Sequence, residues 1–311
     1  MSLDPLSGAQ HTLRAGHYVA HIAGVGASLR SLTYRGRDLV VPFGADELRP
    51  AMRGAILAPW PNRTADGRYR IAGQDHQLAV NEIDTNCAAH GLAAWLRFDA
   101  IRQSLNAVTL RGWIEPQPGY PWRVRLDATY SIGTDGLLLE VEATNESATH
   151  APFGIGIHPY LLAGDAKRRA VDRWTLQTSA AEVLLTDARL LPTELVPVDE
   201  HRGGVYDFRE GRMIEETILN HAFTGLARDR NGVARACLTA PDGTGTEITW
   251  DESCDWVQIY TADESLGADR RHAVAVEPQS CPPDALNSGR DLLTIAPDES
   301  MRFAWRVRGL G

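Results

Sequence analysis

Lysine is almost missing from this sequence, although positive charge is not. Lys167 is the one lysine among the 31 lysine and arginine residues of the 311-residue chain. It lies in the polar run AGDAKRRA, where nothing apolar would favour a neutral, nucleophilic amine. The sequence therefore argues against Schiff-base chemistry.

Other absences restrict the context in which the protein works. The N-terminal segment MSLDPLSGAQHTL has neither a basic stretch nor an apolar centre, so we expect no signal peptide. No apolar run reaches the roughly 18 residues of a membrane span, so we expect no membrane partner. The formal net charge of -9 and the pI of about 5.6 make nucleic acid an unfavourable partner. The four cysteines form no C-x-x-C pair, which predicts reduced thiols in the cytoplasm: Cys87, Cys237, Cys254 and Cys281.

Alternating apolar and polar residues recur from one end of the chain to the other. Turn-forming residues bound each alternating segment, and segments with helical spacing are short, such as the one near Asp187 to Leu191. The pair Gly24 and Gly26 lacks the third glycine and the following helix of a dinucleotide loop, so we assign it to a bend. We therefore predict an all-β fold, a large antiparallel β-sandwich with few short helices. We expect a single domain over residues 1–311, with the first ten or so residues lacking order. The alternating segments are 17–24, 107–114, 122–132, 137–145, 246–250, 256–262, 272–278 and 301–307.

One of these apolar segments ends in a carboxylate. In AVAVEPQSCPPDALNSG, small and β-branched residues lead directly to Glu277, which is followed by Pro278. The ordinary interpretation is that Glu277 is an acidic residue at the end of a strand and faces water. The alternative is a base whose pKa the apolar strand raises while the proline fixes its direction.

Three further segments hold polar side chains on stiffened backbone. Asn62 and Arg63 follow a Pro-Trp-Pro turn, His90 precedes a glycine, and His158 lies between two glycines and a proline. Taken singly, each histidine is more often a satisfied core residue, and the arginine a surface ion pair. Taken together with Glu277, they supply an acid, a base and a fixed cation for binding a small ligand rich in oxygen.

The order of these motifs resembles the aldose 1-epimerase (galactose mutarotase) family, and in particular its bacterial branch, which includes sulfo-sugar mutarotases. The resemblance runs from about Gly24 to Trp305 and implies a large galactose mutarotase-like β-sandwich with the sugar site in an open cleft on one sheet. The motifs that carry it are PWPNR, DGRY, HGL, FGIGIHPYL, RLLPTEL, DFR and VAVEPQSCPPDALNSG.

The resemblance also implies an activity and a set of roles. Such enzymes interconvert the α and β anomers of a free aldose by opening and closing its ring, without cofactor or metal. His158 would protonate the ring oxygen, Glu277 would take the proton of the anomeric hydroxyl, and His90 would assist at the ring oxygen. Asn62 and Arg63 would bind substrate hydroxyls. The small-molecule partner is a sugar, and we expect a monomer or a homodimer.

At one position the sequence departs from the family pattern. Within ILNHAFTGL many members carry an aspartate that binds sugar hydroxyls, whereas this chain has Asn220. An uncharged amide makes hydrogen bonds roughly half as strong as those of a carboxylate, so the preferred sugar is left open. Gln258, in WVQIYT, is a further hydroxyl-binding candidate.

Three other interpretations remain at this level. His90, His158 and Glu277 could form a His₂Glu metal site. A sugar sensor could use the same cleft without turnover. An epimerase of hexose 6-phosphates would need an arginine cluster, for which Arg168-Arg169 and Arg270-Arg271 are candidates, although paired arginines in polar loops are usually solvated.

Overall fold

The computed structural model describes residues 5–265 and 267–311. Strands dominate this part of the chain, and helical structure is confined to short turns. Up to residue 145 the strands are β1 (Gln10–Ala15), β2 (Tyr18–Ala23), β3 (Ser28–Tyr34), β4 (Arg37–Asp38), β5 (Ile56–Leu57), β6 (Arg63–Ala65), β7 (Arg68–Ile71), β8 (Gln74–Gln77), β9 (Cys87–Ala89), β10 (Asp99–Gln103), β11 (Ala107–Ile114), β12 (Val124–Gly133) and β13 (Gly136–Asn145).

The second half of the chain continues in the same way. Its strands are β14 (Ala151–Phe153), β15 (Gly156–Ile157), β16 (Tyr160–Leu161), β17 (Thr175–Thr178), β18 (Ala180–Thr186), β19 (Pro192–Pro197), β20 (Arg212–Met213), β21 (Asn220–Leu226), β22 (Ala234–Thr239), β23 (Gly245–Trp250), β24 (Trp256–Tyr260), β25 (Val274–Gln279), β26 (Leu293–Ile295) and β27 (Ser300–Leu310). The helical turns are α1 (Ala285–Ser288) and the 3-10 turns Pro50–Met52, Ala93–Trp95, Ala170–Arg173, His201–Gly203 and Gly267–Asp269.

Two large antiparallel sheets form the body of the molecule. One has nine strands in the order β10-β11-β12-β13-β27-β23-β22-β17-β20. The other has eight, in the order β19-β18-β21-β24-β25-β15-β5, with β16 also paired to β25. A four-stranded sheet, β1 to β4, and the pairs β6-β9, β7-β8 and β14-β26 complete the structure. The predicted antiparallel β-sandwich is confirmed.

Period-two alternation explains why the large sheets pack together. In β11 every second residue is buried, and β12 repeats the pattern over its whole length. Side chains of both sheets join one apolar cluster, which includes Val141 and Trp305 from the first and Val257 and Val276 from the second. Burying an aliphatic side chain of this size contributes about 1.5–3 kcal/mol, so this cluster is the main source of stability. Each alternating segment of the sequence lies on a strand whose ends agree within three residues.

The helical spacing near Asp187 to Leu191 was misleading, because the segment is the turn that joins β18 to β19. The Asp187 carboxylate accepts hydrogen bonds from the N–H groups of Arg189 at 2.8 Å and Leu191 at 3.0 Å. Such a local side-chain bond stabilises a turn in competition with a helix. Leu190 has φ 59°, which ends any helical path.

The N-terminal segment that we expected to lack order, the first ten or so residues, is described in part. Residues 1–4 lie outside the described residues. Ser7 is 5% exposed and its N–H donates to the Ala45 carbonyl at 3.0 Å. In the described ranges no helix is both long enough and apolar enough to span a membrane.

Strand β25 places polar side chains on the outer face of the eight-stranded sheet. All six of its residues are buried. Because side chains alternate along a strand, Val274 and Val276 face the core while Ala275, Glu277 and Gln279 share the opposite face. Loops cover that face and enclose a cleft, which explains how an apolar strand accommodates a carboxylate.

Candidate active site

A cleft of about 270 Å³ lies on the outer face of the eight-stranded sheet, close to the lower end of the range for small-molecule pockets. All seven side chains proposed from the sequence line it. The remaining lining residues come from the surrounding loops and strands. The full lining is Ala51, Met52, Asn62, Arg63, Asn81, Glu82, Ala89, His90, His158, Tyr160, Asn220, Gln258, Tyr260, Glu264 and Glu277.

His158 and Glu277 are in direct contact at the bottom of this cleft. The Nε2 atom of His158 lies 3.3 Å from Oε1 of Glu277, and the two residues are 6% and 2% exposed. The loop between β15 and β16 fixes the histidine through two backbone hydrogen bonds, His158 N–H to Ala55 O at 3.0 Å and Gly54 N–H to His158 O at 2.9 Å. Its ring also stacks on Tyr160, with centroids 5.1 Å apart.

Burial decides the charge of this pair. Desolvation raises the pKa of Glu277 to about 8, against the opposing influence of the Arg63 charge and the Gln279 hydrogen bond. Desolvation, followed by repulsion from His90, holds the pKa of His158 well below its usual value. Both shifts favour the uncharged groups, a neutral imidazole and a carboxylic acid, at this contact.

The pKa of His158 therefore departs from that of a free imidazole, which is about 6.5. A charged imidazolium loses its hydration when it is buried, and the positive charge of Arg63 opposes it further. The structure supports instead a pair that jointly holds one proton.

The second histidine, His90, also lies at the bottom of the cleft. His90 follows β9 with φ 65°, and its backbone N–H donates to Asn62 O at 2.8 Å. Its ring meets that of His158 edge to face, with centroids 5.4 Å apart. Desolvation, with a further contribution from the Arg63 charge, lowers the pKa of His90 to about 3, so this imidazole is neutral. Among the described residues, the Nδ1 atoms of both histidines lack a hydrogen-bond partner.

Arg63 is held in place by a carboxylate that the sequence analysis missed. Its Nε and Nη2 atoms bind Glu82 at 2.6 and 2.8 Å, and Nη1 donates to the Asn62 side chain at 3.2 Å. Such a bidentate pair fixes the guanidinium plane as well as its position. Glu82 lies in the polar run NEIDTN, which has no pattern that distinguishes it from a solvated acid.

A pair of amides forms another wall of the cleft. Gln258 is 4% exposed and its Nε2 donates to Asn220 Oδ1 at 2.9 Å. Strand register explains the contact: Gln258 lies opposite Glu277 in β25 on one side and opposite Ala222 in β21 on the other. Asn220 thus occupies the edge of a row of polar side chains that leads across the sheet to the His158–Glu277 pair.

The alternative ligand sites receive less support. Arg169 pairs with Asp172 and Glu216, and Arg271, only 3% exposed, binds Asp172 and Asp263. These ion pairs lie outside the cleft. Arg271 is buried and paired with two carboxylates, whereas we expected the paired arginines to be solvated. In residues 5–265 and 267–311, no group of three or more His, Cys, Asp or Glu side chains is arranged to hold a metal ion.

The fold defines a class of protein that known structures share. An aldose epimerase homologue of Caenorhabditis elegans superposes with a TM-score of 0.83 at 18% identity, over 97% of this chain and 100% of that one. A galactose mutarotase-like protein of Clostridium acetobutylicum gives a TM-score of 0.80 at 17% identity, over 96% and 94%. At these identities the likeness establishes the galactose mutarotase-like fold.

Sequence comparison gives the family. The aldose 1-epimerase family model matches residues 9–308. The uncharacterized protein YihR of Escherichia coli K12 is 35% identical over 305 residues, 97% of this chain and 94% of that protein. Human galactose mutarotase is 27% identical over 199 residues, 60% of this chain and 56% of the human one. The chain belongs to the aldose 1-epimerase family and is an isomerase that acts in carbohydrate metabolism.

Proposed function

We propose that this protein interconverts the α and β anomers of a free aldose by acid/base-catalysed opening and closure of the sugar ring, with His158 and Glu277 as the proton-transferring groups. The observation that carries the proposal is the 3.3 Å contact between His158 Nε2 and Glu277 Oε1 in a cleft that Arg63, His90 and Gln258 also line. Family membership supports the reaction class.

The reaction needs two proton transfers and no net change in protonation. One proton leaves the anomeric hydroxyl as another reaches the ring oxygen, the C1–O5 bond breaks, and the open aldehyde rotates about C1–C2 before the ring closes on the other face. Both oxygens are bonded to C1, so adjacent groups can reach both.

The one-proton pair provides both forms that the cycle requires. Ring opening uses the form with ionised Glu277 and protonated His158, and leaves neutral His158 beside protonated Glu277. Ring closure uses that second form, in which Glu277 returns a proton to the aldehyde oxygen and His158 receives one. Burial favours the second form in the free site, and the fixed charge of Arg63 favours ionisation of Glu277.

The surrounding residues bind the sugar in this proposal. Asn62 holds Arg63 together with Glu82, so the free N–H groups of the guanidinium are fixed for substrate hydroxyls. Asn220 and Gln258 offer amide groups to other hydroxyls, and His90 lies beside His158 to assist at the ring oxygen. Asn220 leaves support for the sensor hypothesis. Its amide binds hydroxyls more weakly than the aspartate of many family members would, while the acid and the base are both retained.

Polarimetry on freshly dissolved sugars tests the proposal. Glucose, galactose and sulfoquinovose are followed with the wild type, Glu277→Gln and His158→Asn, before and after exhaustive chelation. We expect acceleration of at least one sugar, about 10²–10⁴-fold loss in each variant, and no effect of chelation. Sugar binding with no acceleration of any aldose would favour the sensor. Unchanged variants would refute the assigned roles, and loss on chelation would favour the metal site.

We also infer that residues 1–311 form a single domain. The apolar cluster supports this inference, because it includes Leu13 of β1 and Val307 of β27 in one contiguous core.

A further inference from the structure

A buried amide next to the acid/base pair has no place in the mechanism so far. Gln279 is 0% exposed and follows Glu277 by two residues on the same face of β25. Its Nε2 donates to Oε2 of Glu277 at 3.1 Å. The other carboxyl oxygen, Oε1, is the one that contacts His158. The two oxygens of the carboxyl group are therefore distinguished by their partners.

A glycine in the opposite strand provides the space for this amide. Gly156 of β15 pairs with Gln279 across the sheet. A Cβ atom at Gly156 would lie 2.8 Å from Cγ of Gln279 and 3.1 Å from the Pro278 carbonyl oxygen. Any larger residue would thus push against the buried glutamine. Gly156, the second glycine of the FGIGIHP motif, therefore leaves room for the Gln279 side chain. His158 follows it by two residues in the same motif.

We propose that Gln279 is a positioning residue that occupies Glu277 Oε2 and so directs Oε1 toward His158 and the sugar, with Gly156 leaving the room it needs. This inference rests on the proposed function. A neutral amide suits the task better than a cation, because a hydrogen bond from a charged donor is about twice as strong and would hold the carboxyl group in its ionised form. The amide orients the group while leaving its proton free to move.

The first test is Gln279→Met, which keeps the length and volume of the side chain but removes the donor. We expect kcat/KM for the best substrate to fall about 10- to 100-fold, mainly through kcat, because an unheld carboxyl group loses its reactive orientation. The N–H bond favours the ionised carboxylate, so its loss moves the alkaline limb of the pH profile upward by roughly one pH unit.

Gln177→Met provides a matched control. Gln177 is a partly buried glutamine of β17 whose Nε2 donates to the Arg209 carbonyl at 3.2 Å, outside the cleft. The same substitution there should leave the pH profile unchanged. Thermal unfolding of both variants separates loss of folding from loss of orientation. If Gln279→Met does not fold, Gln279→Glu preserves the shape and should move the limb upward as well, because two neighbouring carboxylates repel.

A second route to the same effect leaves Gln279 intact. Gly156→Ala should lower kcat and raise the alkaline limb by displacing the glutamine, and it should cost much less activity in a Gln279→Ala background. If the folded Gln279 variants have the same pH profile as the wild-type protein, the inference is overturned while the proposed function still stands. An inactive wild type would instead refute the function on which the inference rests.

Discussion

The charge of the His158–Glu277 pair is set by desolvation more than by the attraction between the two groups. Burial raises the pKa of the acid to about 8 and lowers that of the imidazole, so both prefer the neutral form. An ordinary surface carboxylate would be ionised throughout the neutral range. The consequence is an unusual order of titration, in which the carboxyl group loses its proton last.

The pH dependence of the reaction should show this order. In the proposed cycle, the pair holds the single proton that it needs below about pH 8, and above that pH Glu277 loses the proton, so that the proposed cycle has no acid. We therefore expect kcat/KM, corrected for the spontaneous rate, to fall as the pH rises through about 8, and its acid limb to lie below the usual histidine range. Polarimetry from pH 5 to 9.5 measures both limbs. Activity that rises through pH 8 would contradict this assignment.

The stability of the protein should report the same burial. A group whose pKa is raised on folding binds more protons in the folded state. The free energy of unfolding therefore falls as the pH rises above the unfolded pKa of Glu277, about 4.5. Glu277→Gln should therefore raise the free energy of unfolding by roughly 1–3 kcal/mol at pH 7, and by less at pH 5. Urea denaturation at the two pH values measures the difference. Equal effects at both pH values would show that Glu277 is ionised in the folded protein.

At the scale of elements, short connections determine where the cleft side chains lie. Arg63 begins β6, and His90 follows the paired strand β9, so one two-stranded ribbon carries both. The ribbon is joined to the sheet through Gly91, which forms a parallel bridge with Ala58. The Ala58 carbonyl accepts hydrogen bonds from the next two N–H groups, those of Leu92 at 2.7 Å and Ala93 at 2.9 Å.

This junction should tolerate no side chain. Gly91 has φ 68°, and a Cβ atom there would lie 2.2 Å from the Ala58 carbonyl oxygen. We expect Gly91→Ala to destabilise the protein by about 2–4 kcal/mol, from the left-handed backbone and the clash together, and to lower kcat by displacing His90. Gly73→Ala is the control, because its φ of 80° is similar but nothing lies within 4 Å. Thermal unfolding measures the destabilisation of both variants. Equal values would show that the contact between the added Cβ atom and the Ala58 carbonyl oxygen does not lower stability.

At the scale of the molecule, the two sheets share one apolar interior. Core side chains from the first strand to the last contact each other, so no boundary divides the described core into separate halves. We expect calorimetry to show one unfolding transition, with equal calorimetric and van't Hoff enthalpies. Two resolved transitions would contradict the single domain that we infer.

The sequence predicted the strands well because alternation is a local property. Residues 107–114 and 137–145 alternate along a surface that is buried on one side, and they became β11 and most of β13. The same local reasoning failed near Asp187, where a side-chain hydrogen bond favours a turn over the helical spacing. It also could not assign Arg271, because one of its carboxylate partners, Asp172, lies 99 residues away in the sequence.

What the sequence by itself determined is the fold class, the family resemblance, and the residue types available for proton transfer at rigid strand ends. Only the tertiary structure decided that Glu82 holds Arg63, that Gln279 occupies one oxygen of Glu277, and that burial makes the His158–Glu277 pair neutral. The reason is physical. Hydrogen-bond partners and desolvation depend on segments brought together by strand register and loop packing, and no local pattern of the chain encodes those distances.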